Sequence, residues 1–157
     1  MDFPDLQKRQ QRHDEISHRD ILDLPLERRI AHHICHLVKY TGRLLAISLT
    51  NDDADRRQKI ERTLADTMLI CLAFANACGV DLSKVKKHAF NFGSKQHSER
   101  EEVYLLRIFV IATAGMSKIY EDHDHGKQGS FQPSSAKTFY LSWPASTVFS
   151  KISAGPR

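Results

Sequence analysis

The sequence predicts an all-α protein, a bundle of four to five helices followed by an irregular tail. Three observations carry that expectation. Ile30, Ile34, Leu37, Thr41 and Leu44 recur at spacings of three and four, the period of one helical face. Helix start and stop residues punctuate the chain at helix-length intervals, and strand signals are few. At 157 residues, with 41% apolar and 27% charged, the chain has the size and composition of one globular domain.

The elements follow in order. Residues 5–19 are polar, with Leu6 and Ile16 as the anchors of a short helix docked on the rest. Asp23-Leu24-Pro25 reads as a start signal, an N-cap followed by proline near the first helical position, where no amide bond is lost. The helix carrying the Ile30–Leu44 stripe then ends near Thr50. Asn51-Asp52-Asp53 offers a turn, and its acids suit the positive end of a helix dipole. The next helix runs from about 53 to 78, polar for two turns and then nearly all apolar from Leu64 to Ala77. Gly79 stops it. Val80-Asp81-Leu82-Ser83 caps a short basic helix, Lys84 to about Asn91. Ser98 and Glu101 have capping-box spacing and open a helix to about Tyr120. Its centre, VYLLRIFVIATAG, is apolar on nearly all sides, which suits the middle of a bundle or a dimer interface.

Composition divides the chain into a helical domain, residues 1–125, and a tail, residues 126–157. Ser, Gly and Pro supply 13 of the last 32 residues, too many for a packed domain. Yet the tail holds Phe131, Phe139, Tyr140, Trp143 and Phe149. It is expected to lie over the bundle or a partner subunit, with Trp143 as its best anchor. The tail also explains the net charge of +4. Its four basic residues face no acidic ones, and the first 125 residues balance. Nucleic acid is therefore not an expected partner, because such a domain concentrates basic charge on its folded face.

No apolar run reaches the length of a membrane span, and Arg107 interrupts the longest, Val103 to Met116. The first fifteen residues contain no hydrophobic signal core, so the expectation is a soluble, cytoplasmic protein. Cys35, Cys71 and Cys78 form no CxxC pair and read as reduced, buried thiols.

Nucleophile and phosphate-loop motifs (G-x-S-x-G, the P-loop, G-x-G-x-x-G) are absent. His32, Cys35 and His36 share a helical face and have metal-ligand chemistry, but beside a core stripe they read as packing and rim groups. Glu121-Asp122-His123-Asp124-His125 reads as a solvated charge run, with adventitious nickel or zinc binding as the alternative.

A stronger pattern spans two helices. Ala65-Asp66 leads into an apolar segment that stops at Gly79, resumes as Val80-Asp81-Leu82, and continues through Lys87 and Asn91. This order resembles the MazG-like all-α nucleoside triphosphate pyrophosphohydrolases. Leu37-Val38-Lys39-Tyr40-Thr41-Gly42-Arg43-Leu44 looks like that family's L-V-x-E-x-G-E-L helix, and the likeness covers about residues 5–95. The family places E-x-x-E and E-x-x-D on two packed helices, where four carboxylates bind magnesium. At the matching positions this chain has Tyr40, Arg43, Thr63 and Asp66, and only Asp66 keeps its carboxylate. Glu61 lies five residues before Asp66, roughly 140° around the helix, and cannot substitute.

The resemblance thus implies a MazG-like bundle, homodimeric or higher, that keeps a cleft but is catalytically inactive or strongly attenuated and needs no cofactor. Arg43 is expected to pair with Asp66 across the helices in the metal's place, with Tyr40 donating a hydrogen bond and Arg62 as the local rival. A nucleotide or other phosphorylated ligand would meet Arg43, Lys87, Asn91 and Lys95. The alternatives are an active magnesium enzyme that uses Asp66 and recruits Glu101, Glu102 or the acids after Tyr120, and a helical adaptor whose aromatic tail binds another protein.

Overall fold

The structure is a computed structural model that describes residues 3–49, 55–82 and 101–126. Those residues form an all-α bundle. Its helices are α1 (Phe3–Ser17), α2 (Arg19–Leu22), α3 (Leu26–Leu49), α4 (Arg56–Ala77) and α5 (Glu101–Gly126), and no strand occurs among the described residues. The central helix α3 packs against both α4 and α5; α1 lies against α4, and α2 against α1. None of these helices is long and apolar enough to cross a membrane.

The α3 stripe behaves as its spacing demands. Ile30, Ile34, Leu37 and Leu44 are buried, Leu37 completely. Thr41 sits in the same stripe but spends its hydroxyl on Leu37 O (2.8 Å), with Thr113 Oγ1 of α5 at 3.3 Å. α4 is different. Cys71, Leu72, Ala73, Phe74 and Ala75 are consecutive and all buried. Five residues span more than a full turn, so this end of α4 is covered on every side. Its buried Thr63 and Thr67 satisfy their hydroxyls on the carbonyls of Lys59 and Thr63, one turn back.

α4 ends in a Schellman motif. Gly79 has φ +64°, its amide bonds Asn76 O (3.1 Å), and Val80 N reaches Ala75 O (2.9 Å). Val80 and Ala75, brought together by that turn, are both buried. One side chain then locks α1 onto this corner. The Gln7 amide donates to Val80 O (2.6 Å) and accepts from Leu82 N (3.2 Å), while Asn76 Nδ2 donates to Gln7 O (3.2 Å). Leu6 packs beside it against the core.

Several boundaries differ from the sequence expectation. Asp23 does not start α3; it is the C-cap of α2. The Pro25 carbonyl instead accepts the first α3 bond, from Arg29 N (3.1 Å). α4 begins at Arg56, and its N-cap Asp55 makes no side-chain cap bond. α5 continues through the Glu121–His125 run to Gly126. Ile16 is no anchor, being 78% exposed, and Cys35 is exposed while Cys71 and Cys78 are buried. On α5, Phe109, Ala112 and Met116 face the core, leaving Val110 and Ile111 exposed. The basic helix from Lys84, the Ser98 capping box and the tail with Trp143 lie outside the described residues.

Candidate functional site

α3 and α4 bring Arg43 and Asp66 together. Arg43 Nη1 lies 3.5 Å from Asp66 Oδ2, and their side chains are 53% and 41% exposed. The cross-helix partner, rather than Arg62, therefore makes the ion pair, but in contact with water and through a single contact. Tyr40 does not join it by a hydrogen bond. Helical side chains lean toward the N-terminus, and the Tyr40 hydroxyl lies 3.4 Å from His36 Nδ1, one turn back. Lys39 Nζ donates to that same nitrogen (3.1 Å). The Tyr40 ring meets two cations, Lys39 Nζ at 4.7 Å and Arg43 Cζ at 5.4 Å. Burial raises the Tyr40 pKa, Asp66 adds to the rise, and Arg43 opposes it.

This donor set does not fit magnesium. Thr63 is buried with its hydroxyl donating to Lys59 O, and Tyr40 is bonded to His36. The one carboxylate, Asp66, already faces a guanidinium, whereas a hard cation needs several oxygen donors. Glu61 is taken up in a surface pair with Arg57 (2.8 Å). Lys87, Asn91 and Lys95 lie outside the described residues, as do the side chains of Glu101 and Glu102.

Two concavities flank Asp66. The smaller, about 310 Å³, runs between α3 and α4 and is lined by Arg43, Ala46, Ile47, Gln58, Lys59, Arg62, Thr63 and Asp66. Three cationic side chains against one carboxylate leave it at a formal +2. The larger, about 640 Å³, opens between α1–α2 and α3–α4 and is rich in histidine. α3 contributes His32, His33, His36 and Tyr40, while His13, Asp14 and His18 come from α1 and the α1–α2 junction.

The histidines differ in state. His33 is 7% exposed, its ring edge-on to Phe74 at 6.1 Å, and its Nδ1 has no hydrogen-bond partner. Burial pushes its pKa down to about 4, helped by His32, His36 and Arg29. The His36 pKa is also lowered, by burial first and then by Lys39, His32, His18 and Arg43. His32 packs its ring on His36 with centroids 4.6 Å apart. The exposed Cys35 does not complete a ligand set with them. The one metal-like group among the described residues is His13, Asp14 and His18, with ligand atoms all within 4.8 Å of one another.

Sequence spacing missed that group for a structural reason. Asp14 and His18, four apart, share a helical face, but His13 stands roughly 100° and 140° around the helix from them. His18 still bonds its amide to Asp14 O (2.9 Å) as in a helix, and its backbone leaves the helical range only there, with φ −136° and ψ 38°. The spacing of four between Asp14 and His18, in a polar segment next to a helix-start signal, was the hint the sequence carried.

No protein-family model, curated protein or solved structure matches the chain.

Proposed function

We propose that this protein is a MazG-like bundle that binds a phosphorylated small molecule, such as a nucleotide, without hydrolysing it. The observation that carries this reading is the Arg43–Asp66 contact within a groove that Lys59 and Arg62 make net positive. A metal-dependent hydrolase collects carboxylates at such a point to hold cations; this groove attracts the anion directly. Arg43 and Arg62 offer planar forks that suit phosphate oxygens, and Lys59 adds a point charge. Lys87, Asn91 and Lys95 extend the same chemistry by resemblance to the family.

The exposed Val110 and Ile111 on α5 support self-association as a dimer or higher oligomer, which light scattering at micromolar concentration measures. The functional test has two arms. Full-length protein is expected to bind inorganic pyrophosphate calorimetrically without magnesium, with affinity falling at least tenfold in Arg43→Ala/Arg62→Ala. Nucleoside triphosphates with magnesium are expected to release no pyrophosphate. Magnesium-dependent release that disappears in Glu101→Gln/Glu102→Gln would establish the active enzyme instead. A copurifying protein lost on deletion of residues 127–157, with no pyrophosphate binding, would establish the adaptor.

A further inference from the structure

We propose that His13, Asp14 and His18 form a binding site for a first-row divalent cation of the zinc class, on the wall of the larger cleft and separate from the groove between α3 and α4. Three observations converge on it. The ligand atoms already lie within 4.8 Å of one another. Zinc ligands at about 2.0–2.2 Å from a tetrahedral centre stand roughly 3.3–3.6 Å apart, so a modest inward rotation completes the set. His13 and His18 are exposed and have that freedom, whereas Asp14 is 8% exposed and acts as the fixed anchor.

The second observation is electrostatic. Asp14 Oδ1 accepts from Gln10 Nε2 (2.7 Å), and His13 Nδ1 lies 3.5 Å away. Neither partner carries a fixed charge, and a buried carboxylate without a full counter-charge is costly. A cation supplies that charge. The Gln10 bond does not compete with it, because a carboxylate accepts several bonds, and it holds the group as outer-shell partners hold metal ligands.

The third is the position of His18 at the end of α1. Its amide bonds Asp14 O (2.9 Å), and the His13 and His18 rings stand 5.3 Å apart, centroid to centroid. Two imidazole nitrogens and one oxygen select zinc, cobalt, nickel or copper over magnesium and calcium. All three residues line the cleft, so a fourth coordination position is open to water or a small anionic ligand.

The test uses metal-stripped full-length protein titrated with Co2+, then Zn2+. One equivalent of Co2+ is expected to give a visible ligand-field band of tetrahedral type, displaced by Zn2+ and insensitive to millimolar Mg2+. His13→Ala and His18→Ala, both at exposed positions, should each weaken the Kd at least tenfold. Asp14→Asn, with its helicity verified by circular dichroism, should weaken it further. His123→Ala/His125→Ala, which removes the histidines of the 121–125 run, should leave the band and the affinity intact. Undiminished binding in His13→Ala/His18→Ala, loss in His123→Ala/His125→Ala, or no binding below millimolar metal would overturn the proposal. None of these readouts involves phosphate, so the outcome is independent of the groove.

Discussion

His33 should make the bundle acid-sensitive by an amount that follows from its burial. The ring sits between α3 and α4, 7% exposed against Phe74, and its pKa falls from 6.5 to about 4. His32, His36 and Arg29 add positive charge from its own helix, and the cleft acids Asp14, Glu15, Asp20 and Asp66 come from the other elements. Because the folded pKa is the lower one, the unfolded chain binds the proton first as pH falls. Stability is therefore full above pH 6.5 and declines through the window down to pH 4. Linkage between those two values gives a loss of about 2 kcal/mol from pH 7 to pH 5, approaching about 3 kcal/mol below pH 4. For a chain of this length that is roughly 4–8 °C in Tm between pH 7 and pH 5. The assay is urea unfolding followed by circular dichroism, in chelator, for wild type and His33→Leu. The leucine cannot protonate and removes the unpartnered Nδ1, so the variant should match or exceed wild type at pH 7. Contributions common to both proteins cancel in the difference. Parallel stability curves from pH 7 to pH 5 would refute the reasoning.

Three further outcomes can be measured on the same preparations. Gly79→Ala meets no atom within 4 Å, so only the strain of a side chain at φ +64° remains, and denaturant unfolding should register a loss of about 1–2 kcal/mol. Arg43→Ala should cost less than about 1 kcal/mol, because both members of its pair are around half exposed, and millimolar magnesium should not raise Tm in either protein. A thiol reagent should modify Cys35 quickly in the native protein. Cys71 and Cys78 should react only on unfolding, since burial raises both thiols, Cys78 to about 12.

What could be read from the sequence was what local rules decide. The Ile30–Leu44 stripe marks a face because the helical period is the same wherever the helix packs. Gly79 marks a stop because a left-handed residue is needed at that one position. Asp23 was misread because the short α2 ends where α3 begins, and one residue satisfied the rule for either boundary. Ile16 and Leu6 look alike as anchors, but the Gln7 amide decides which side of α1 meets the α4 corner, and that bond links residues more than seventy apart. Cys35 looked buried because its neighbours Ile34 and Leu37 are apolar, whereas it falls on the opposite side of α3 from them. The expected contact between Arg43 and Asp66 across the two helices is present. The α1 residues that wall the cleft beside them, His13, Asp14 and His18, were not among the expected site residues.

The placement of charge makes the same point more sharply. The chain as a whole is positive, and the excess sits entirely after residue 125. Within the described bundle the local fields have opposite signs on the two sides of Asp66. The groove holds Arg43, Lys59 and Arg62 against that single carboxylate. The cleft sets Asp14, Glu15, Asp20 and Asp66 against Arg29 alone, a formal −3 when its histidines are neutral. Burial keeps His33 neutral and favours the neutral form of His36, so at neutral pH these two do not cancel the acids. Exposed charges are screened over about 8 Å at physiological ionic strength, so each concavity presents its own sign to a ligand whatever the tail contributes. The two concavities follow one another along the same face of α4, opposite in sign, and Asp66 lines both.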